Sequence, residues 1–539
     1  MKRFTQTFRS LRSSPALASR SKQPPAVAAK KTNPSKDLYR QLRTVPWLQL
    51  WEKEVPRFDQ ATPQERVRQV ALIRALGAGF AEFAPLPLHE PVRAWLRRLL
   101  QDPEEKIRRY ALTALPKTGA SQKEESQILS LLQSPATDRE KKHVSRALEK
   151  IGGAATLAQL RQDPSLPRFT EQRAKANLAR QLHPTSIRMD SPLPAGEPVT
   201  LQLRCRPGFE TILAEELTLL TLPHRRVGCK TGLLTLSLPG PFCLTDLYGL
   251  RCFSTLSFLL GAISNQADPA DALAIASALT SPLSQRLLTA FTQGPLRYRL
   301  EFLAQGHRRG LVHTVVKKTY ALWPELLNDS REAPWAIEIH PGRTGQAVEL
   351  RPRLTPDPRF PYRQKDVPAA SHPPLAASLA RWAQPLPDEV VWDPFCGSGL
   401  ELIERTRLGG VRRVLGTDLS PGAIAAARIN WKSAGPTPTT ADFHVGDFRD
   451  FAKIRGWAPG SISLILTNPP LGKRVPIPDR QGLFRDLYAA AASALRPGGR
   501  MVWINPLKTG PTERSLRLES SQPVDLGGFA CRLERIRKI

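Results

Sequence analysis

The sequence predicts a multidomain protein: an N-terminal α-solenoid-like helical region, a middle α+β module and a C-terminal α/β domain of Rossmann-like type. Three observations predict this order. Apolar residues recur at helical spacing up to about residue 183, short alternating runs follow, and strand and helix patterns alternate regularly from residue 389. Regular alternation predicts a parallel sheet built from βαβ units. A chain of 539 residues is long enough for several domains that each bury a core.

The charge, the apolar runs and the cysteines of the chain indicate which kinds of partner it binds. The chain has 78 Lys and Arg residues against 48 Asp and Glu residues, which gives a formal charge of +30. Such an excess is typical of proteins that bind a polyanion, and a generally basic proteome produces the same excess. The longest apolar run is too short to span a membrane. Dispersed cysteines without a Cys-x-x-Cys pair indicate neither a disulfide framework nor a metal site. We therefore expect a cytoplasmic protein without membrane contact or metal.

Residues 1–36 form a predicted disordered basic tail. The tail contains nine basic residues and no acidic residue, and it has no regular apolar period. It cannot bury enough surface to offset its conformational entropy. The same composition is typical of an organelle transit peptide, which would make the location organellar. We favour a tail that binds nucleic acid, and both interpretations stay open.

Residues 37–183 contain a faint internal repeat. Leu-Gln-Asp-Pro at Leu100–Pro103 recurs as Leu-Gln-Ser-Pro at Leu132–Pro135, and Arg-Gln-Asp-Pro ends at Pro164. Paired helices with a period of about 30 residues are typical of stacked repeats, and the segment resembles short HEAT-type repeats. Such a region either docks a protein, a ribosomal particle or RNA, or it only supports its neighbour.

Residues 196–355 predict the α+β module, and residues 356–375 predict a linker rich in Pro and Arg. Strand patterns at 200–205 and 232–238 flank a predicted helix at 208–220, and a hairpin is predicted across Pro341-Gly342. Basic residues in the module, in the linker and after the fourth C-terminal strand are candidate RNA contacts: Arg308, Arg309, Lys317, Lys318, Arg359, Arg363, Lys473 and Arg474. A basic run is also typical of a simple solvated face.

Residues 376–539 predict the domain that carries chemistry. A buried-strand run ends in Asp393, and Gly397 and Gly399 let the chain turn tightly and bring bare backbone against a ligand. The next strand ends in Asp418, where a carboxylate can accept both hydroxyls of a ribose. The third strand is followed by Asp447, which can accept an adenine amino group. Three acids at three consecutive strand ends predict a cofactor groove.

The first loop also indicates the charge of the cofactor. Asp393 stands where a dinucleotide site would place its pyrophosphate, and a carboxylate repels phosphate but attracts a cation. S-adenosylmethionine, which carries a sulfonium and an ammonium group, fits this position.

The fourth predicted strand runs into Asn468, Pro469, Pro470 and Leu471. The prolines fix the backbone, so the Asn468 side-chain oxygen and the Pro469 carbonyl can hold both hydrogens of a planar NH2 group. Its nitrogen lone pair then faces a methyl donor, and no strong base is required. The alternative is a rigid turn without a catalytic role.

Asp393 to Gly399 together with Asn468 to Pro470 resemble the class I S-adenosylmethionine-dependent methyltransferases that modify exocyclic amino groups. Upstream, the chain resembles the bacterial and archaeal guanine-N2 RNA methyltransferases that carry a THUMP-type RNA-binding region, through Arg204–Glu210, Glu215–Leu217, Asp357–Arg363 and Ser371–Ala376. The resemblance covers residues 196–539. It implies that Asn468, Pro469, Pro470 and Leu471 hold the target base. It implies a cofactor site lined by Asp393, Pro394, Phe395, Gly397, Gly399, Asp418, Leu419, Asp447 and Phe448.

One residue departs from the family pattern. The position after Asn-Pro-Pro is usually aromatic and stacks on the base, and here it is Leu471. Stacking on an aromatic side chain is worth about 1–3 kcal/mol per base, so we expect lower affinity or a changed choice of base. Lys473 and Arg474 would recover some binding through the RNA backbone.

We therefore expect transfer of a methyl group from S-adenosylmethionine to guanosine N2 in ribosomal or transfer RNA. Two alternatives stay open. One is an RNA-binding or ribosome-assembly scaffold with a weak or inactive methyltransferase domain. The other is a DNA amino-methyltransferase, which shares both loops.

Overall fold

The computed structural model describes residues 34–120, 122–132, 137–162, 167–264, 268–304, 306, 308–368, 370–435, 438–472, 477–507 and 509–539. The predicted basic tail therefore lies almost entirely outside the described residues. Two compact units are present: Met1–Ala120 with Ser134–Val144, and Ser121–Gln133 with Ser145–Ile539. Among the described helices, none combines the length and the hydropathy that a membrane crossing requires.

The segment before residue 183 is helical, as predicted. Its helices are α1 (Pro34–Leu42), α2 (Trp47–Gln49), α3 (Val55–Gln60), α4 (Pro63–Arg68), α5 (Ala71–Phe83), α6 (His89–Leu99), α7 (Glu105–Ala114), α8 (Gln122–Ser130), α9 (Asp138–Ile151), α10 (Ala154–Gln162) and α11 (Arg168–Leu182). The repeated motif at Leu100–Pro103 joins α6 to α7, and the later copies fall between α8 and α9 and between α10 and α11. The motif thus has the same place in three successive helix pairs, while the stacking of a solenoid stays a prediction.

The core of the first unit is built around tryptophans. Trp47 is buried, and its indole N–H donates to the carbonyl of Leu76 at 3.0 Å. Trp95 is also buried, its ring meets Phe58 edge-on, and its N–H donates to Asp59 at 3.0 Å. Each indole thus buries its apolar rings and satisfies its one donor.

An eight-stranded mixed sheet forms the middle module. The strands of this part are β1 (Ser186–Ile187), β2 (Val199–Arg204), β3 (Arg225–Lys230), β4 (Leu233–Leu238), β5 (Thr255–Ser264), β6 (Thr292–Gln293), β7 (Arg297–Phe302), β8 (Leu327–Asn328), β9 (Trp335–Pro341) and β10 (Gly345–Pro352). The sheet order is β3-β4-β2-β5-β10-β9-β7-β8, and β1 pairs with β6 separately. Its helices are α12 (Glu210–Glu216), α13 (Leu244–Leu247), α14 (Asp268–Leu279), α15 (Pro282–Phe291) and α16 (Arg309–Leu322). The predicted hairpin is β9 with β10, paired antiparallel.

Helix α11 packs on this module. Gln172 donates to the carbonyl of Asn328 at 3.2 Å, and Arg180 forms an ion pair at 3.0 Å with the buried Asp329. Lys175 donates to the Tyr320 hydroxyl at 2.8 Å. The last predicted repeat helix therefore shares a packed interface with the module that follows it.

A seven-stranded sheet forms the C-terminal domain. Its strands are β11 (Glu389–Asp393), β12 (Val411–Asp418), β13 (Thr440–Val445), β14 (Ile462–Thr467), β15 (Leu495–Asn505), β16 (Leu516–Asp525) and β17 (Ala530–Lys538). The order is β13-β12-β11-β14-β15-β17-β16, with β17 antiparallel to both of its neighbours and the other pairs parallel. The helices are α17 (Pro373–Trp382), α18 (Leu400–Arg407), α19 (Pro421–Ala434) and α20 (Arg480–Ala494). All five residues of β11 are buried, as expected of a central parallel strand covered on both faces.

The middle module docks directly on the C-terminal sheet. Asp525 donates its backbone N–H to the carbonyl of Pro207 at 2.9 Å, next to Gly208. Arg251 of the module forms a two-pronged ion pair with the buried Glu404 of α18, at 2.7 and 2.8 Å. These contacts hold the predicted RNA-binding module against the domain that carries the site.

Candidate functional site

The predicted acids stand along one edge of the C-terminal sheet. Asp393 and Asp418 are the last residues of β11 and β12, and Asp447 follows β13 by two residues. Asn468 follows β14 directly. Because β13, β12, β11 and β14 are consecutive parallel neighbours, their carboxyl ends lie at the same edge. The structure thus brings the predicted cofactor residues and the predicted base-holding loop to one place.

Asp393 is a fully buried acid, and its two oxygens differ in their hydrogen bonds. Its Oδ1 accepts from the Thr467 hydroxyl at 2.6 Å and from the backbone N–H of Phe395 at 3.0 Å. Its Oδ2 is buried and has no hydrogen-bond partner among the described residues. Burial raises the pKa of Asp393 well above its ordinary value, and the nearby Glu401 raises it further. A buried carboxylate oxygen without a donor is a site for a cationic ligand.

The loop after β11 is tied to the end of β12. Asp418 Oδ2 accepts from the backbone N–H of Gly397 at 3.0 Å, and its Oδ1 accepts from Ser420 at 2.9 Å. Gly399, at φ +82°, directly precedes α18, and an added Cβ there would lie 3.3 Å from Ala427 Cβ. Glycine is therefore required for both the turn and the packing against α19.

Apolar surface remains beside Asp418. Leu419, the next residue, is 71% exposed, and Val445, the register partner of Asp418 in β13, is 52% exposed. Two exposed aliphatic side chains next to a carboxylate suit a flat apolar ring that carries polar substituents.

The Asp447 carboxylate, which we expected to face a ligand, already has a partner within the protein. Its Oδ2 accepts from the Arg449 guanidinium at 2.7 Å, and Arg449 also donates to Asp486 at 2.8 Å. Its Oδ1 accepts the backbone N–H of Arg449 at 2.9 Å, which caps the short helix that follows. Phe448 is buried, with its ring centroid 5.0 Å from that of Phe395. The sequence did not indicate that Arg449 neutralises this acid.

Asn468 uses one end of its carboxamide within the protein. Its Nδ2 donates to the Ser371 hydroxyl at 2.9 Å, whereas its Oδ1 is buried and has no hydrogen-bond partner within the described part of the chain. Pro469 is buried and Pro470 is half-buried. The Leu471 side chain is half-buried and packs against the main hydrophobic core. Asn468 therefore presents an oxygen that can accept an N–H from a ligand.

Two residues of the site were not expected from the sequence. Ser371, which donates to Glu401, precedes α17, and Glu401 is a buried residue in the first turn of α18. Burial raises the pKa of Glu401. Ser371 belongs to the stretch that resembles the family linker, and an acid immediately after a glycine-rich loop was the available signal for Glu401.

The candidate RNA contacts are distributed over several elements. Arg308 precedes α16, and Arg309, Lys317 and Lys318 lie on it, with Arg309 and Lys317 exposed. Arg363 is half-buried and forms an ion pair with Asp366 at 2.6 Å. Lys473 and Arg474 lie outside the described residues.

Arg359 requires a correction. It is only 4% exposed and its guanidinium lies 3.8 Å from the centroid of the Phe253 ring. It donates to the Phe253 carbonyl at 2.7 Å and forms an ion pair with Asp357 at 2.7 Å. Arg359 therefore joins the linker to the middle module and is not available to RNA, because aromatic stacking and an internal carboxylate offset the cost of burying its charge.

Glu338, His340 and Glu349 bring possible metal-ligand atoms within 4.8 Å of one another in the middle sheet. Both carboxylates already have cationic partners, since Glu349 receives both terminal nitrogens of Arg204 at 2.6 Å and Glu338 receives Arg351. The arrangement is that of an internal ion-pair network on a sheet face.

A family model, two sequence relatives and a solved structure are similar to parts of this chain. Residues 361–515 match the family described as RMKL-like, methyltransferase domain. The ribosomal RNA large subunit methyltransferase G of Streptomyces griseus is 32% identical over 114 residues, which are 21% of this chain and 28% of that protein. The ribosomal protein L11 methyltransferase of Photobacterium profundum is 30% identical over 196 residues, which are 35% of this chain and 60% of that protein.

Among solved structures, TrmN from Thermus thermophilus aligns with 63% of this chain and 100% of its own, at 21% identity and a TM-score of 0.49. This chain covers less than two thirds of the length of either sequence relative. The family match and the sheet order confirm a methyltransferase-like α/β domain. The prediction of S-adenosylmethionine as its cofactor is also confirmed, and the Asp393 Oδ2, which has no partner among the described residues, fits that cation. Residues 361–515 of this chain thus carry an S-adenosylmethionine-dependent methyltransferase domain.

Proposed function

We propose that this chain transfers a methyl group from S-adenosylmethionine to an exocyclic amino group of RNA, with guanosine N2 in ribosomal or transfer RNA as the target. The observation that carries the proposal is the Asn468 carboxamide, whose Oδ1 is a buried acceptor without a partner among the described residues. A planar NH2 group is the complementary donor, and burial makes an unfilled acceptor costly.

Each residue at the sheet edge has a proposed role. Asp393 Oδ2 would hold a cationic part of the cofactor, and Asp418 with Leu419 would receive its nucleoside part. The cofactor supplies an electrophilic methyl carbon. Asn468 Oδ1 and the Pro469 carbonyl would each accept an N–H, which turns the nitrogen lone pair out of the amide-like plane toward that carbon. The nitrogen becomes acidic as its new bond to carbon forms, and its proton then leaves to water without a strong base.

The substrate class rests on charge and on the module beside the site. A formal charge of +30 favours a polyanion, and the match to a ribosomal RNA methyltransferase supports RNA. The target base has to leave its stack to reach Asn468, so a loop, a strand end or a locally opened helix is the expected substrate.

The other parts of the chain have proposed roles in binding. Residues 196–355 and the linker 356–375 would bind RNA next to residues 376–539, with Arg308, Arg309, Lys317, Lys318, Arg363, Lys473 and Arg474 as candidate contacts. Residues 37–183 would dock a protein or a ribosomal particle, and residues 1–36 would add non-specific attraction. We expect the protein to act in the cytoplasm, or in an organelle if residues 1–36 prove to be a transit peptide.

The test is transfer of labelled methyl groups to purified RNA, to DNA and to ribosomal protein in parallel. The protein arm is included because one relative is named for methylation of ribosomal protein L11. We expect label in RNA alone, and loss of most of it with Asn468→Ala. Equal RNA methylation by wild type and Asn468→Ala would show that the Asn-Pro-Pro loop does not hold the base. Label in DNA or protein alone would contradict the proposed substrate, and cofactor binding without transfer to any of the three would favour the scaffold alternative.

A further inference from the structure

We propose that Ser371 and Glu401 are positioning residues that fix the Asn468 carboxamide with its oxygen toward the substrate and its NH2 group away from it. This inference rests on the proposed function for the identity of the substrate, but the orientation itself is a property of this chain.

The direction of the hydrogen bonds follows from the groups involved. The Ser371 hydroxyl has one proton, and the structure gives this proton to Glu401. The bond favours the ionised form of Glu401, which can only accept, against the burial that raises the pKa of this acid. The Ser371 oxygen is then an acceptor toward Asn468, and the atom of the carboxamide at 2.9 Å from it has to be the nitrogen. The hydrogen bonds from Asn468 to Ser371 and from Ser371 to Glu401 therefore run in one direction, which leaves the other end of the carboxamide, Oδ1, as the acceptor.

Helix ends hold the two anchors of this chain of bonds. Glu401 is 4% exposed, and it lies in the first turn of α18, directly after the loop that begins at Asp393. Ser371 is half-buried and precedes α17, whose first turn contains Pro373 and Pro374. Both anchors therefore stand at the ends of packed helices, and water has little access to the Glu401 end of the chain.

A fixed polarity also selects the substrate. With its Nδ2 engaged by Ser371, Asn468 can accept a hydrogen bond but cannot donate one through that face. An amino group is favoured, whereas a base that presents a carbonyl oxygen at the same position would meet Oδ1 as a second acceptor and be repelled. Ser371 and Glu401 thereby separate amino-bearing base edges from keto edges without touching the base.

Four variants and one control test the hydrogen bonds from Asn468 to Ser371 and from Ser371 to Glu401, which we call the relay. Ser371→Ala should lower kcat on RNA by about 10- to 100-fold, the range typical of lost outer-shell partners, with the Kd for S-adenosylmethionine unchanged. Ser371→Thr keeps the hydroxyl and should restore most of kcat. Glu401→Gln keeps an acceptor oxygen and should lower kcat at saturating S-adenosylmethionine far less than Glu401→Leu, which removes it and should resemble Ser371→Ala. The control is Ser378→Ala, since Ser378 is buried on α17 and donates to the Pro374 carbonyl at 2.7 Å.

A second measurement reads the orientation without any substrate. In protein labelled with ¹⁵N at asparagine side chains, the Asn468 NH2 resonance is assigned by its absence from Asn468→Asp. We expect its protons to exchange slowly with water in wild type and in Ser378→Ala, and much faster in Ser371→Ala. Equal exchange in wild type and Ser371→Ala, or equal kcat for Ser371→Ala and Ser378→Ala on a methylated RNA, overturns the relay. Slow exchange in a wild-type protein that methylates no RNA leaves the relay standing and refutes the proposed function instead.

Discussion

The Thr467 hydroxyl donates to Asp393 Oδ1 at 2.6 Å, and this bond joins the end of β14 to the end of β11. Asp393 begins the loop that we propose faces the cofactor, and Thr467 immediately precedes Asn468, which we propose faces the substrate. This buried side-chain bond adds to the pairing of β11 with β14 that holds the two halves of the proposed site in register. Because Oδ1 is used for this bond, only Oδ2 is left for a ligand.

Replacing Asp393 by Asn tests whether Oδ1 binds Thr467 while Oδ2 binds the cofactor. The Asn oxygen can still accept from Thr467, but the other atom becomes an NH2 group that opposes a cation. A hydrogen bond between charged groups is worth about 1.5–3 kcal/mol, so we expect S-adenosylmethionine to bind at least about tenfold more weakly in calorimetric titration. Asp388→Asn is the control, since Asp388 is 71% exposed and pairs with Arg412 away from the site. Equal affinities for the two variants would contradict the role of Asp393.

Cofactor affinity should rise with pH. The pKa of Asp393 is raised by burial and by Glu401, with a further contribution from Asp418, so the neutral acid persists to higher pH than in an exposed Asp. A cation binds the ionised carboxylate better than the neutral acid, so affinity increases as pH rises through this pKa, and binding releases a proton below it. Calorimetry over a pH series should show this slope in wild type and a flat profile in Asp393→Asn.

Glu401→Gln extends the same prediction. Removing the negative charge of Glu401 lowers the pKa of Asp393, since a like charge disfavours ionisation. The rise in cofactor affinity should therefore move to lower pH in this variant. A pH profile identical to that of wild type would show that Glu401 does not influence Asp393.

Gly208 is predicted to be essential for docking the middle module. An added Cβ would lie 2.3 Å from the Pro523 carbonyl oxygen and 2.9 Å from Val524 Cα, and φ is +92°. Gly208→Ala should lower the free energy of unfolding by about 2 kcal/mol or more, because backbone atoms cannot move aside cheaply. Gly460→Ala is matched, with φ +71° and nothing within 4 Å of the added Cβ. It should cost about 1 kcal/mol. Denaturant unfolding of both variants gives the comparison, and equal losses would argue against close docking.

The Arg251–Glu404 pair should contribute strongly to the same interface. The two side chains are 16% and 2% exposed, and Glu404 also accepts from the Tyr362 hydroxyl. Arg251→Met leaves a buried carboxylate without its cation and should cost about 3 kcal/mol. The exposed pair of Arg412 and Asp388 provides the contrast, since its side chains are 65% and 71% exposed. Arg412→Met should cost about 0.5 kcal/mol or less in the same unfolding experiment.

Much of the C-terminal fold could be predicted because each element has a local signal. The strands Glu389–Asp393 and Ile462–Thr467 are rich in apolar residues and fully buried, and Gly397 and Gly399 mark the turn between strand and helix. Asp393 and Asp418 are the last residues of two neighbouring strands, so parallel pairing alone brings them to one edge.

The remaining parts of the site depend on contacts between distant residues. Ser371 and Glu401 are thirty positions apart and meet only when α17 and α18 are packed. The residues next to Arg359 in the sequence are those expected around an exposed arginine. Its burial depends on Phe253, which lies in another module. Charge patterning cannot distinguish a cation that faces solvent from one that stacks on a buried ring.

The most direct test of the central claim is mass spectrometry of nucleosides. RNA from cells that lack the gene is incubated with S-adenosylmethionine and the wild-type protein or Asn468→Ala, then digested to nucleosides. The account predicts a methylated guanosine carrying its methyl group on N2 with wild type, and its near absence with Asn468→Ala. A methyl group on carbon, on ribose or on a ring nitrogen, or an equal yield of N2-methylguanosine from both proteins, would contradict it.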